Sequence, residues 1–222
     1  MFDGFVVETV ELSDATLRVR HGGHGPPVLL LHGHPRTRTT WHRVAPLLAS
    51  SLTVVCPDLR GFGKSSKPAD TPDHAGSSKR AKARDCVELM RYLGFDRFAV
   101  VGHNRGAYTA FRVALDHPGA ISHLAILDAV PILEALERCD ARFATEWWHW
   151  FFFAQPASRS ARSSRIQTLG MKARQSAWER KTHADYRAAI HDAETIHGML
   201  KTTELGLASI VRTMKKVEMP GT

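Results

Sequence analysis

Residues Gly102-His103-Asn104-Arg105-Gly106 directly follow the apolar run Phe98-Ala99-Val100-Val101. A Gly-x-nucleophile-x-Gly segment behind a buried strand bends sharply, holds one side chain above the sheet, and opens a helix at once. Glycines flank such a bend because the backbone packs there too closely for a side chain. The central position ordinarily carries Ser, Cys or Asp, which attack as anions or with the help of a base. Asn104 stands there instead, and a carboxamide does not attack. The segment therefore predicts a hydrolytic site and, at the same residue, the loss of its covalent step.

Other chemistry is poorly supported. Thirteen histidines occur without an HExxH or comparable pair, and Cys56, Cys86 and Cys139 show no CxxC spacing, so neither a metal site nor a disulfide framework is expected. The formal charge is +8, but residues 157–182 hold seven Lys/Arg against one acid and residues 201–222 hold four against two. The remaining residues are balanced, and neither tract has interleaved aromatics, which argues against nucleic acid as a partner. At 222 residues, 43% hydrophobic and 23% charged, the protein can bury one large core. No apolar stretch approaches the roughly 20 residues of a membrane span, and a cytoplasmic protein without membrane attachment is the expectation.

The elements that must position the bend alternate strand and helix. Residues 15–20 read as an edge strand, 22–27 as a turn cluster, and 28–31 as a strand covered on both faces. Residues 41–48 read as a helix, 52–56 as a strand, 79–93 as a helix, 98–101 as a strand, 105–116 as the helix behind the bend, and 123–127 as the next strand. This βαβαβ rhythm predicts a mostly parallel sheet with helices on both faces. Beyond Pro131 only helical patterns follow, at 147–153, 184–191 and 193–200, as in a helical cap over the strand ends. The expected division is a core over 1–130, a cap over 131–200 and a disordered tail over 201–222.

His32-Gly33-His34-Pro35, Asp58-Leu59-Arg60-Gly61-Phe62-Gly63, the bend at 102–106 and Ile126-Leu127-Asp128 fall in the order of an α/β-hydrolase fold. More finely, the sequence resembles the fluoroacetate (haloacetate) dehalogenases: in Arg105 after the nucleophile position, Ala114-Leu115-Asp116-His117-Pro118, Trp148-His149-Trp150, Phe153-Ala154-Gln155-Pro156 and Ala184-Asp185-Tyr186-Arg187. The resemblance implies a short halogenated carboxylic acid as small-molecule substrate, with no metal or organic cofactor; a homodimer is left open. An Asp at the bend would displace halide and form an ester that water hydrolyses with a His-acid pair. The nucleophile position then falls on Asn104 and the acid on Asp128. Arg105 becomes the clamp for the substrate carboxylate, a task suited to a bidentate guanidinium. His149 and Trp150 become the halide pocket, and His32 and Gly33 shape the wall beside the bend.

The departures from that pattern are equally specific. Tyr108 replaces the family's second carboxylate-binding Arg, and His34 stands where Phe is usual. The general-base His and the last strands and helices of the sheet domain have no counterpart, so the sequence reads as C-terminally truncated, with an unpaired strand edge expected. A permissible back-translation of 201–221, read one nucleotide out of register, gives E-D-Y-R-A-G-L-G-I-D-R-A-H-D-E-E-G-R-N-A-G, a family-like stretch. Residues 163–172 and 177–182 permit similar recoveries, so small frame-disrupting indels account for both basic tracts. The reading is an inactive hydrolase of the haloacetate dehalogenase type. Its alternative is an inert relic or small-molecule binding protein.

Overall fold

The computed structural model of the protein describes residues 2–69, 75–153 and 180–196. Six strands form one mixed sheet: β1 (Val6–Glu11), β2 (Thr16–Gly23), β3 (Pro27–Leu31), β4 (Thr53–Pro57), β5 (Phe98–His103) and β6 (Ile121–Leu127), in the order β1-β2-β4-β3-β5-β6. β1 and β2 pair antiparallel, as do β2 and β4. The pairs β3–β4, β3–β5 and β5–β6 are parallel.

The parallel strands are apolar because both of their faces are covered. Along β3, Leu29 and Leu31 enter one cluster with Ala83, Cys86, Leu89 and Met90 of helix α2 (Lys79–Tyr92) and with Ala110 and Val113 of α3 (Arg105–Asp116). Val28 and Leu30 enter a second cluster on the opposite face with Trp41 and with Ala45 of α1 (Ala45–Leu48). Adjacent residues of one strand thus serve two cores, as a sheet between two helical layers requires. Ser78 caps α2, its hydroxyl accepting from Ala81 N at 3.0 Å.

The structure departs from the sequence pattern at β2 and at the helix expected over 41–48. The segment expected at an edge is interior: β2 lies between β4 and β1, and its pairing extends through Gly22 and Gly23, where the sequence predicts a turn. The true edge, β1, buries only Val10 and so shows almost no periodic signal. The helix expected over 41–48 divides into a 3-10 turn (Arg38–Trp41) and the short α1, with Pro46 near the start of the latter. Pro fits the first turn of a helix and not its interior, where it lacks the required N–H donor.

Beyond β6 the described elements are α4 (Ile132–Glu137), α5 (Ala141–Glu146), α6 (Trp148–Phe153) and α7 (Arg180–His191), with a helical turn at 193–196. No strand occurs among the described residues after β6. Among the described residues β6 pairs on one side only, and Leu124 and Leu127 on it are 39% and 42% exposed. The tail at 201–222 and most of the 157–182 tract lie outside the described residues.

Candidate active site

The bend at 102–106 forms where β5 enters α3, at the carboxyl ends of the parallel strands, where open α/β sheets hold their ligands. A Cβ on Gly106 would lie 2.3 Å from Leu31 O, and one on Gly102 would lie 2.4 Å from Gly106 O. Only glycine allows β3, β5 and α3 to approach this closely. Asn104 consequently adopts φ 54° and ψ −116°, a positive-φ conformation that costs a non-glycine residue about 1–3 kcal/mol. Two main-chain bonds hold it there: Asn104 N donates to Leu127 O at 3.1 Å, and Ala107 N donates to Asn104 O at 3.1 Å.

The wall beside the bend comes from the loop after β3. His34 N donates to Asn104 Oδ1 at 3.1 Å, and a Cβ on Gly33 would meet Asn104 Cβ at 2.5 Å. A main-chain donor from this loop is half of the pair that holds an oxyanion in such bends; the other half is the N–H following the nucleophile position. His32 points into the interior. Its Nδ1 lies 3.0 Å from Gly33 O, and its Nε2 accepts from Leu59 N at 3.0 Å. With Nε2 accepting, the proton is assigned to Nδ1 and the ring is neutral. Both ring nitrogens are thus taken up by the main chain, and His32 braces the wall.

Burial holds the His32 imidazole below its ordinary 6.5, and burial followed by the charge of Arg36 does the same to His103. Because both rings bind protons less readily folded than unfolded, their stability contribution is present above about pH 6.5 and lost as pH falls toward the folded values. Urea unfolding should show a falling midpoint from about pH 7.5 to about pH 5.5, with a smaller fall in His32→Asn. An equal fall in His32→Asn contradicts the assignment of a buried neutral ring at position 32.

Asp128 follows β6 with φ 53°. Its Oδ2 lies 3.6 Å from His103 Nε2, and the Asp128 side chain is 84% exposed. Among the described residues, His103 is the histidine that meets this carboxylate. Its Nδ1 is buried without a hydrogen-bond partner among the described residues. The sequence drew no attention to His103, because a residue inside the bend has no spacing signal of its own.

Arg105 opens α3. Burial lowers its guanidinium to about 10, against the opposing effect of Tyr108, so it remains a cation at neutral pH. Burial pushes the Tyr108 phenol up to about 12, so position 108 supplies a hydroxyl and no charge. Lys79, the first residue of α2, is lowered to about 8 by burial and then by Arg105, which places a second cation near the first. In the sequence Lys79 stands only as the first residue of the helix expected over 79–93. The Trp150 ring lies edge-on to Tyr108 at 6.3 Å and to Phe143 at 5.7 Å, which brings α6 over the start of α3. The His149 backbone belongs to α6, and its side chain lies outside the described residues. The structure thus brings together Asn104, Arg105, Tyr108, Trp150 and Gly33, with Asp128 and His103 beside them.

A parallel sheet in this strand order, a glycine-flanked bend behind β5, and an acid behind β6 are the frame of an α/β hydrolase. The alpha/beta hydrolase fold model matches residues 26–172, and the protein belongs to that family. It is 53% identical over 157 residues to a fluoroacetate dehalogenase of a Burkholderia species, covering 71% of this sequence and 52% of that protein. It is 43% identical over 109 residues to a soluble epoxide hydrolase of Corynebacterium sp. strain C12, covering 49% of this sequence and 36% of that one. The protein thus spans at most about half the length of these curated relatives. An alpha/beta hydrolase candidate from Nostoc sp PCC 7120 superposes with a TM-score of 0.90 at 37% identity, covering 99% of this protein and 78% of that one.

Proposed function

We propose that this protein holds the substrate site of a haloacetate-dehalogenase-type hydrolase, in which Asn104 prevents formation of the aspartyl ester. The observation that carries the reading is the bend itself: Asn104 stands in the nucleophile conformation with its Oδ1 on the His34 N–H, and Arg105 follows directly. The similarity to a fluoroacetate dehalogenase supports a small halogenated carboxylate as ligand. Arg105 receives the carboxylate, Trp150 and His149 receive the halogen, and Asp128 is the acid of the family's His-acid pair. The helices between 131 and 200 act as the cap, and the protein works in the cytoplasm without metal or organic cofactor.

Retention of this site without the attacking carboxylate also favours a second reading, a small-molecule binding protein or an inert relic. Binding separates these. Fluoroacetate titrated into the protein should change tryptophan fluorescence through Trp150. Arg105→Ala should weaken binding about ten-fold or more, since a hydrogen bond to a charged group contributes about 1.5–3 kcal/mol. Equal affinity in both proteins overturns the assignment of Arg105, and no binding by the native protein supports the relic.

A further inference from the structure

We propose that Asn104 is a self-modification site: its carboxamide cyclises onto the backbone nitrogen of Arg105, expels ammonia, and opens with water to an aspartyl residue. The modification stands on the local geometry of the bend and not on the reading given above. Only the use of the new carboxylate as an attacking group rests on that reading.

Three features converge on this step. First, at ψ −116° the Arg105 nitrogen and the Asn104 Cβ lie nearly eclipsed across the Cα–C bond, because Cβ of an L-residue is offset by about a third of a turn from its own nitrogen. The five-membered ring Cγ–Cβ–Cα–C–N therefore closes with little backbone rotation, whereas ordinary helical and extended residues must turn far from their energy wells. The flanking glycines and the two main-chain bonds of Asn104 hold this otherwise costly conformation permanently. Second, the His34 N–H already donates to Asn104 Oδ1 at 3.1 Å. That donor polarises the amide carbonyl and stabilises the oxyanion formed when Cγ is attacked. Third, Arg105 N belongs to the first residue of α3, and the first N–H groups of a helix have no intrahelical acceptor. Consuming it breaks no helical hydrogen bond.

Arg105 N bonds to Asn104 Cγ and gives up its proton, while the carboxamide bond between Cγ and Nδ2 breaks and the amide nitrogen departs as ammonia. Water then opens the imide. Cleavage of the newly formed bond from Cγ to Arg105 N leaves Asp at 104 in an intact backbone, and cleavage of the original peptide bond leaves an isoaspartyl link. No oxidant, metal or second protein is needed.

Asn104 is the only asparagine in the sequence, so mass spectrometry reports on it directly. The full-length protein should be incubated at neutral pH, once native and once in denaturant, and its intact mass and the peptide containing residue 104 followed over time. Encoded Asn104→Asp serves as the product standard, and Asn104→Gln as a control that cannot close the same ring. The expected result is conversion several-fold faster in the native protein, through an ammonia-loss species, with both aspartyl and isoaspartyl products. Equal or slower conversion in the native protein overturns the proposal, because folding would then protect Asn104. Native-accelerated conversion to Asp alone, without the ammonia-loss species, also overturns it in favour of direct attack by water. Exposing the converted protein to chloroacetate separates the two claims: conversion without ester formation leaves the modification standing and removes the dehalogenase reading.

Discussion

Freshly prepared, the protein should release no halide from fluoroacetate or chloroacetate above the buffer rate, whereas Asn104→Asp should release a single equivalent per molecule and then stop. A neutral carboxamide cannot displace halide and form the ester, so the first step is absent in the native sequence. Aspartate at 104 inherits the bend, with Arg105 next to it in sequence and the His34 N–H beside its oxygen. Hydrolysis of the ester is a separate matter. The histidine that meets Asp128 among the described residues is His103, whose Nε2 faces that carboxylate at 3.6 Å. The other ring nitrogen, Nδ1, is buried among the described residues, so neither nitrogen is offered to a water at the ester; the ester should persist, since removing a catalytic base alone costs on the order of 10⁶ in turnover. Sustained turnover by Asn104→Asp would instead assign His103 as a working base. Loss of that turnover in Asn104→Asp/His103→Ala would confirm the assignment.

The largest stability effect should come from Asp58. This residue is fully buried after β4, where its Oδ1 accepts from Arg38 N at 2.8 Å and its Oδ2 accepts from Lys64 N at 3.0 Å and from the Arg38 guanidinium. It ties the 3-10 turn after the His34 loop to the 58–65 loop, and both loops pack around His32 and Phe62. Asp58→Ala leaves Arg38, itself 7% exposed, as a buried cation without its carboxylate. Breaking a buried pair in this way costs about 3–5 kcal/mol. For a protein of this size the thermal midpoint should fall by about 6–20 °C. A loss below about 1 kcal/mol, the range of an exposed pair, contradicts the buried arrangement. Because the same carboxylate braces the wall beside Asn104, Asp58→Ala should also weaken fluoroacetate binding in whatever fraction remains folded.

The buried parts of the fold were legible because apolar runs and turn residues say nearly the same thing there. The helix behind the bend ends where expected, at Asp116, before His117-Pro118. Strands β3, β4 and β5 read clearly because both of their faces are covered. β1 escaped notice because a half-exposed edge strand with one fully buried side chain shows no strong period. Within the site, side chains were more legible than backbone. Asn104, Arg105 and Asp128 announce themselves by type and position, but the His34 N–H could not, since a main-chain donor acquires a role only through the path of its loop. Lys79 was missed because a lysine at the start of a helix looks solvated until α3 and Arg105 lie beside it. The two basic tracts lie mostly outside the described residues, and the gene itself tests the account of them. Resequencing codons 156–222 should reveal displaced reading frames, and an unbroken frame there removes that explanation.

The bend at 104 and the cation beside it are proposed as the place where a small halogenated carboxylate is attacked. Peptide mass spectrometry of Asn104→Asp after exposure to chloroacetate tests it most directly. An ester is expected on residue 104 of that variant, with none in freshly prepared native protein and none once Arg105→Ala is added. An unmodified residue 104 in folded Asn104→Asp, or an equal yield of ester with and without Arg105, would contradict it.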